Sequence, residues 1–190
     1  TAYPLFSTCK LDSVYIGGPI SYNTTKEYGY SPFYFNTTLR TIVINTAEVP
    51  QYLCYECRKL KTATIGDTAI KIGNWAFSSC FTLEELYFGK NLKNIGNEAF
   101  SDCTGVTEIV STSEIPPVCG TRALSDMDKW NCTLYVPENS LKAYQDAEQW
   151  NEFIFSESIE DTYTLTYVVD DEVYATYQIA EGGEITLPET

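Results

Sequence analysis

One nine-residue pattern occurs twice in this chain, with equivalent positions 23 residues apart. It reads Ile-Gly-Asn-Trp-Ala-Phe-Ser-Ser-Cys over residues 72–80 and Ile-Gly-Asn-Glu-Ala-Phe-Ser-Asp-Cys over residues 95–103. A weaker copy lies another 23 residues upstream, where Cys57 is in register with Cys80 and Cys103. A repeat of about 20–29 residues with recurring apolar positions predicts a solenoid, in which successive copies stack and share one continuous core.

Each repeat contains the short pattern apolar-x-x-apolar-x-apolar. Side chains two residues apart point to the same face of a strand, so each copy predicts one short strand with an inward face. We expect about six such strands in one parallel sheet, because each strand is followed by a return segment. The inward residues are Leu11/Val14/Ile16, Leu39/Ile42/Ile44, Leu60/Ala63/Ile65, Leu83/Leu86/Phe88, Val106/Ile109/Ser111 and Leu134/Val136.

The return segments and two irregularities complete the prediction for the repeats. The Ala and Phe of the Ile-Gly-x-x-Ala-Phe-x-x-Cys pattern predict a short helical or irregular turn that packs inward. Between Leu11 and Leu39 there are 28 residues, which indicates an enlarged loop. The register also breaks between Val106 and the strand at Leu134, around Pro116-Pro117 and Cys119-Gly120.

The pattern over residues 72–88, Ile-Gly-x-x-Ala-Phe-x-x-Cys-x-x-Leu-x-x-Leu-x-Phe, resembles the BspA-like (Treponema-type) leucine-rich repeat of bacterial surface proteins. Residues 132–150 resemble the closing strand and capping helix of such arrays. The resemblance covers roughly residues 5–155 and departs from the pattern at Asn36, where a Cys is expected. It implies an α/β leucine-rich repeat solenoid in a secreted or cell-surface protein that binds other molecules. It implies no catalytic residues.

We expect a solenoid with a C-terminal cap over residues 1–155 and a polar linker over residues 156–161. In the cap, either Asn139 or Ser140 can cap the start of a helix. Apolar residues then recur at helical spacing, and we expect them to close the open end of the solenoid. These residues are Leu141, Tyr144, Ala147, Trp150 and Ile154.

Residues 162–190 predict a partial β module. The sequence alternates up to residue 180, and Asp170-Asp171 marks the turn of a hairpin. Gly182-Gly183 then leads into a third short strand over residues 184–187. The segment resembles the start of the Listeria–Bacteroides repeat, a small β module that follows such arrays in bacterial surface proteins.

The charge of the chain is concentrated at one end. Residues 1–142 contain 14 acidic and 12 basic residues, whereas residues 143–190 contain 12 acidic residues and no Lys or Arg, which together give the net charge of −14. Nucleic acid and anionic lipid both require a basic face, so neither is expected as a partner. No run of 18 apolar residues occurs, so we expect no membrane insertion. The chain begins within the repeat pattern, and we expect any signal segment to lie outside it.

The seven cysteines do not resemble a disulfide framework. Cys57, Cys80 and Cys103 are expected to stack inside the turns as small buried apolar residues. The Cys54-x-x-Cys57 spacing also occurs in zinc and redox sites. The repeat explains Cys57, and the chain has no His to complete a mixed zinc site, so we expect no metal and no cofactor.

The chain lacks the residues of the common catalytic sites. With no His, the Ser-His-Asp and Cys-His arrangements are excluded. The adjacent carboxylates Glu84-Glu85 and Asp170-Asp171 point to opposite faces of a strand, whereas a glycosidase needs two acids facing each other across a cleft. We therefore expect a protein that is not an enzyme.

The residues between the inward positions of each strand form two columns on the concave face of the predicted sheet. Three Tyr and two Glu of these columns are the candidate ligand-binding residues, because Tyr offers rigid amphipathic contact area. Strand propensity alone also selects Thr, Val and Tyr, so a purely structural role is the alternative. The candidates are Tyr15, Glu85, Tyr87, Glu108 and Tyr135.

These expectations leave three functions open. The first is non-catalytic adhesion through the concave face, with a protein as the ligand. The second is a carbohydrate-binding module that uses the exposed Tyr side chains. The third is a structural spacer with no ligand. A pairing of Cys119 with Cys132 is also left open, and the oligomeric state is not predicted.

Overall fold

The computed structural model describes residues 4–22, 31–159, 162–169 and 172–180, and it describes side chains up to residue 154. The chain divides into two units, Thr1–Ser158 and Ile159–Thr190. The strands, in chain order, are β1 Ser13–Ile16, β2 Thr41–Ile44, β3 Glu48–Val49, β4 Thr62–Ile65, β5 Lys71–Ile72, β6 Glu85–Phe88, β7 Asn94–Ile95, β8 Glu108–Ser111, β9 Val118–Cys119, β10 Thr133–Pro137, β11 Phe155–Ile159, β12 Thr162–Val169 and β13 Glu172–Ala180.

The main sheet has seven strands in the order β1-β2-β4-β6-β8-β10-β11. The first six pair in parallel without a register shift, so the residues of equivalent repeats lie side by side. This arrangement confirms the predicted parallel solenoid. The central inward column contains Val14, Ile42, Ala63, Leu86, Ile109 and Leu134.

The inward side chains of the main sheet form one wall of the core. From β2 to β10 the strands alternate between half-buried and buried residues, as the two-residue period requires. Leu39, Leu60, Leu83 and Val106 lie ahead of their strands and are also buried. The rings of Phe77 and Phe100 stack inside the solenoid with their centroids 5.1 Å apart. Each rung thus buries its apolar side chains against its neighbours.

The predicted irregular turns are confirmed, because Ala76, Phe77, Ala99 and Phe100 lie in turns and are buried. The sequence did not reveal the two-residue strands that precede the turns in the return segments after β2, β4, β6 and β8. These strands form a second parallel sheet in the order β3-β5-β7-β9. Val49, Ile72 and Ile95 occupy one buried column of this sheet. The Gly that follows Ile72 or Ile95 permits the close approach of the preceding rung, since a Cβ on Gly96 would lie 2.6 Å from the backbone N of Asn74.

Buried polar contacts connect the turns of successive rungs. The thiols of Cys57, Cys80 and Cys103 are buried and donate to backbone carbonyl oxygens of the preceding rung at 3.1–3.2 Å. Asn36 takes the equivalent place in the first complete rung. Its amide donates to the carbonyl of Phe6 at 2.6 Å, and its oxygen accepts from the backbone N of Leu39 at 2.8 Å.

The predicted C-terminal capping helix is present, but it is shorter than the apolar spacing suggests. Helix α1 covers only Leu141–Asp146, between two short 3-10 helices over Glu138–Ser140 and Trp150–Glu152. Tyr144 and Trp150 are buried, whereas Ile154 is 45% exposed. Of the two predicted capping residues, Ser140 is the N-cap of α1 but its side chain forms no hydrogen bond to the helix, and Asn139 lies within the preceding 3-10 helix.

The cap also closes the second sheet. Trp150 donates its indole N–H to the carbonyl of Pro117 at 2.8 Å. Gln149 donates to the carbonyl of Gly120 at 2.6 Å and accepts from the backbone N of Leu124 at 3.0 Å. Because side chains of the cap occupy these backbone groups of the last rung, the array of rungs ends here.

Two features concern the end of the chain. The expected linker over residues 156–161 is replaced in its first part by β11, the last strand of the main sheet. In the second unit, β12 and β13 pair in antiparallel fashion, with an irregularity after Tyr167. The turn at Asp170-Asp171 and the third strand over residues 184–187 lie outside the described residues, and the β module remains a prediction.

Candidate functional site

The outer face of the main sheet presents the two columns expected from the sequence. The register places equivalent residues of six strands next to one another, without a break from β1 to β10. One column is Ser13, Thr41, Thr62, Glu85, Glu108 and Thr133, and the other is Tyr15, Val43, Thr64, Tyr87, Val110 and Tyr135. We call this surface the outer face.

The five candidate residues all lie on the outer face, but they are not equally accessible. Tyr15 is 67% exposed, on the first strand of the sheet. Glu85, Tyr87, Glu108 and Tyr135 are half-buried by their neighbours in the columns. The face is therefore a surface of half-buried side chains on which Tyr15 is the most exposed of the five candidates.

Tyr87, Glu85 and Glu108 form one group at the centre of the outer face. The hydroxyl of Tyr87 donates to Oε1 of Glu108 at 3.3 Å. The hydroxyl of Thr62 donates to Oε2 of Glu85 at 3.2 Å on the neighbouring strand. Partial burial, followed by the charges of Glu85 and Glu108, raises the pKa of the Tyr87 hydroxyl. Tyr87 therefore remains a neutral hydrogen-bond donor beside two carboxylates.

Glu85 and Glu108 are direct neighbours in the parallel register of β6 and β8. Adjacent strands lie about 4.8 Å apart, and like charges directly opposite each other destabilise a sheet. No Lys or Arg within the described residues forms an ion pair with either carboxylate. Glu85 and Glu108 therefore form a local excess of negative charge, which does not stabilise the sheet.

The three tyrosines of the outer face are not adjacent. Tyr15 and Tyr87 are separated by the strands that carry Val43 and Thr64, and Tyr87 and Tyr135 are separated by Val110. At about 4.8 Å per strand, these separations are about 14 Å and about 10 Å. The tyrosines thus do not combine into one platform for a single sugar ring.

The Cys54-x-x-Cys57 motif lies in the core, where the chemistry of a metal or redox site is disfavoured. Both thiols are buried, and burial raises the pKa of Cys54 well above its ordinary value of 9.0. The thiolate, which is the metal ligand and the nucleophile, is therefore disfavoured. Cys119 and Cys132 both carry free thiols in this structure.

A groove beside the C-terminal cap is the surface feature that the sequence did not reveal. Its volume is about 1040 Å³, and Trp130, Arg122 and Glu148 are among its lining residues. These residues come from separate segments of the chain, so no local pattern connects them. A Trp at residue 130, in the irregular stretch before the last strand, is the sequence signal that could have pointed to this region, and the structure shows that its side chain is exposed.

The described part of the chain contains no helix that combines the length and the apolar character needed to cross a bilayer. It also contains no cluster of three or more His, Cys, Asp or Glu residues that could hold a metal ion.

This chain has a detectable similarity to a protein of known structure. The crystal structure of a leucine rich cell surface protein from Faecalibacterium prausnitzii A2-165 is similar, with 15% sequence identity and a TM-score of 0.30. The alignment covers 91% of this chain and 48% of that chain, so this chain spans about half the length of that protein. A search of curated protein sequences found no match.

A TM-score of 0.30 is too low to support an assignment, which rests instead on the repeat itself. The sequence profile of the BspA type leucine rich repeat region, in six copies, matches residues 3–84 and 26–147. Together these ranges cover more than half of the chain and include every strand of the main sheet from β1 to β10. The chain therefore belongs to the family of proteins with a BspA-type leucine-rich repeat region.

Proposed function

We propose that this protein acts on the outside of the cell, at its surface or in secreted form, as a non-catalytic adhesion protein that holds a protein ligand on the outer face. Family membership supports an extracellular location, because the BspA-type leucine-rich repeat is a repeat of bacterial surface proteins. The similar protein from Faecalibacterium prausnitzii is also described as a cell surface protein. The absence of His from the whole sequence removes the side chain that most often serves in general acid–base catalysis, which is consistent with a non-catalytic role.

The observation that carries the proposal is the Glu85–Glu108 pair with Tyr87 beside it. Two adjacent carboxylates cost stability in a free sheet, and a cationic side chain of a partner would relieve this cost. Tyr87 adds amphipathic contact area next to the charges. We therefore expect the ligand to place a Lys or Arg side chain between Glu85 and Glu108.

The spacing of the tyrosines favours a protein over a sugar at this face. Tyr15 and Tyr135 lie five strand spacings apart, which is about 24 Å. A protein interface covers such a distance, whereas a sugar ring needs one local aromatic surface. Glycan binding through these tyrosines, and a spacer role without any ligand, remain the rival functions.

The test is a binding screen of the whole chain against immobilised extracellular host proteins, run beside a glycan array. The variant Tyr15→Ala/Tyr87→Ala/Tyr135→Ala probes the outer face. A matched variant, Ile70→Ala/Ile115→Ala/Val118→Ala, truncates three exposed apolar residues elsewhere on the surface. We expect a protein ligand whose affinity falls about tenfold or more in the Tyr variant and is unchanged in the control.

Two results would contradict the proposal. A protein ligand that binds the Tyr variant as well as the original chain would place the contact outside the outer face. A chain that binds no protein in a broad screen would favour the spacer function.

A further inference from the structure

The groove beside the C-terminal cap combines one highly exposed aromatic side chain with polar side chains from several segments. Its volume of about 1040 Å³ is slightly above the roughly 300–1,000 Å³ of small-molecule sites. The residues that matter here are Asn97, Thr121, Arg122, Asp128, Trp130 and Glu148. None of them lies on the main sheet, so this site is separate from the outer face.

Trp130 is 71% exposed, which is unusual for the largest apolar side chain. Its position results from a departure from the repeat. The buried Met127 occupies the place of Cys103 in the last repeat. Strand β10 begins six residues after Met127, at Thr133, whereas β8 begins five residues after Cys103, at Glu108. The added residue lengthens the connection, and Trp130 lies within it. The preceding repeat has Gly105 in this connection, so stacking of the rungs does not require a Trp here.

The lengthened connection holds its shape through Asp128. One carboxylate oxygen of Asp128 accepts from the backbone N of Trp130 at 3.2 Å, and the other accepts from the side-chain amide of Asn131 at 2.6 Å. These bonds lower the pKa of Asp128, with the Asn131 side chain as the largest cause. The turn therefore presents Trp130 on an ordered segment, although the side chain itself is not packed in the core.

The polar side chains of the groove offer both donors and acceptors. Oδ1 of Asn97 accepts from the backbone N of Thr121 at 2.9 Å, which directs the amide NH₂ of Asn97 away from that bond. Arg122 uses one nitrogen on Asp126 at 3.3 Å and retains further N–H donors. Glu148 forms no ion pair among the described side chains and remains an acceptor.

We propose that this groove is a carbohydrate-binding site, in which the indole face of Trp130 stacks on a pyranose ring and the polar side chains bind its hydroxyl groups. Sugar hydroxyls both donate and accept, and the mixture of amide, guanidinium, hydroxyl and carboxylate groups suits them. The apolar face of a pyranose ring matches an exposed indole better than an anionic ligand would, because the face of the indole ring is electron-rich.

The charge of the groove disfavours anionic sugars. Its lining contains four carboxylates and two basic side chains, which are Asp126, Asp128, Glu148, Glu152, Arg122 and Lys129. Lys129 also forms an ion pair with Glu152, and Arg122 forms one with Asp126, so both cations are already partly neutralised. Sialylated, sulfated and uronic-acid glycans are therefore disfavoured, and the ligand is a neutral glycan.

The experiment uses the whole chain on an array that contains neutral, sialylated and sulfated glycans, followed by a titration of each hit. Trp150 is buried and Trp75 half-buried, so a ligand at the groove changes mainly the emission of Trp130. The variants are Trp130→Ala and Glu148→Gln. Ile115→Ala removes another exposed apolar side chain, 78% exposed and outside the groove, and is the matched control.

We expect a neutral glycan to bind the original chain and the Ile115→Ala variant equally, and to bind Trp130→Ala about tenfold or more weakly. All variants should unfold at the same temperature, because the substituted side chains are exposed or line an open groove. Three outcomes would each overturn the proposal. They are no binding of any neutral glycan, a Trp130→Ala affinity within about twofold of the original, or stronger binding of anionic than of neutral glycans.

Discussion

The hydroxyl groups of Ser111 and Tyr144 lie 2.7 Å apart in the buried core. Tyr144 also donates to the carbonyl of Ser113 at 3.0 Å, so the single proton of its hydroxyl is used and Ser111 must be the donor to Tyr144. Ser111 occupies the inward position that Phe88 holds in the preceding strand. Ser111 is thus a polar residue in an apolar column, and its hydroxyl is the hydrogen-bond partner of Tyr144 in helix α1.

The first prediction concerns this contact. Tyr144→Phe leaves Ser111 and the Ser113 carbonyl without their partner in the core, which should lower the free energy of unfolding by about 1–3 kcal/mol. The double variant Ser111→Ala/Tyr144→Phe also removes the Ser111 hydroxyl, which Tyr144→Phe leaves without its partner. It should therefore recover part of the lost free energy of unfolding. Urea unfolding of the three proteins measures the difference. If the double variant is less stable than Tyr144→Phe, the proposed contact does not stabilise the cap.

The second prediction concerns the cysteines of the turns. The thiol of Cys80 is buried and lies 3.1 Å from the carbonyl oxygen of Cys54. Cys80→Ser replaces the buried thiol by a more polar hydroxyl, and the C–O bond of Ser is shorter than the C–S bond of Cys. The substitution should lower the free energy of unfolding by roughly 1–3 kcal/mol. Cys9→Ser, at an exposed position, is the control and should change little. Equal stability of both variants would argue against the stacked thiols.

The third prediction concerns thiol reactivity. All seven cysteines lie in the described residues, and all are free in this structure. In the native protein, Cys9 is the exposed thiol and should react first with a thiol reagent, because the buried thiols are protected. In denaturant without reductant, all seven should react. A count of five in denaturant would instead reveal a disulfide, for which Cys119 and Cys132 are the candidates.

The fourth prediction concerns alkaline pH. Burial raises the pKa of Cys119 and Cys132 from 9.0 to about 12, and that of Tyr144 from 10.0 to about 12. Below the ordinary values, the folded and unfolded chains hold the same protons and these groups leave stability unchanged. Between pH 9 and 12 only the unfolded chain ionises, so stability should fall as the pH rises. The unfolding temperature between pH 7 and pH 11, measured with a reductant, tests this slope.

The fifth prediction separates stability from binding on the outer face. Glu85→Gln removes one of two adjacent like charges but retains an acceptor for Thr62. The free energy of unfolding should rise by about 0.2–1 kcal/mol, most clearly at low salt. Glu114→Gln removes an exposed carboxylate outside the outer face and serves as the control. Affinity for a basic protein ligand should fall only in Glu85→Gln, and a variant that binds as before would exclude Glu85 from the interface.

The rungs were predictable because their signal is local. The positions of Leu86 and Phe88 in β6 show the two-residue period of a strand, and the 23-residue repeat transfers that assignment to the neighbouring copies. The same period predicted the outer columns, and the register of the six strands confirms their membership. Whether those columns bind a ligand remains a proposal, because strand propensity also selects Thr, Val and Tyr.

The cap was only partly predictable because distant contacts override its local pattern. The helical spacing continues past residue 146, but Ala147 adopts an extended conformation and Gln149 a left-handed one with φ of 66°. The side chain of Gln149 bonds to Gly120 and Leu124 in the last rung, 25–29 residues away. These tertiary bonds end the helix, so Ile154 does not join the apolar stripe.

The sequence by itself determined the repeat, the inward and outward alternation, the buried thiols of the turns and the absence of a histidine-based active site. Each of these depends on residue identity and short-range periodicity. Only the tertiary structure decided the second sheet, the pairing of Ser111 with Tyr144 and the groove beside Trp130. Two-residue strands gain their hydrogen bonds from the next rung, and the groove unites side chains from residues 97 to 152, so neither is visible before the rungs are stacked.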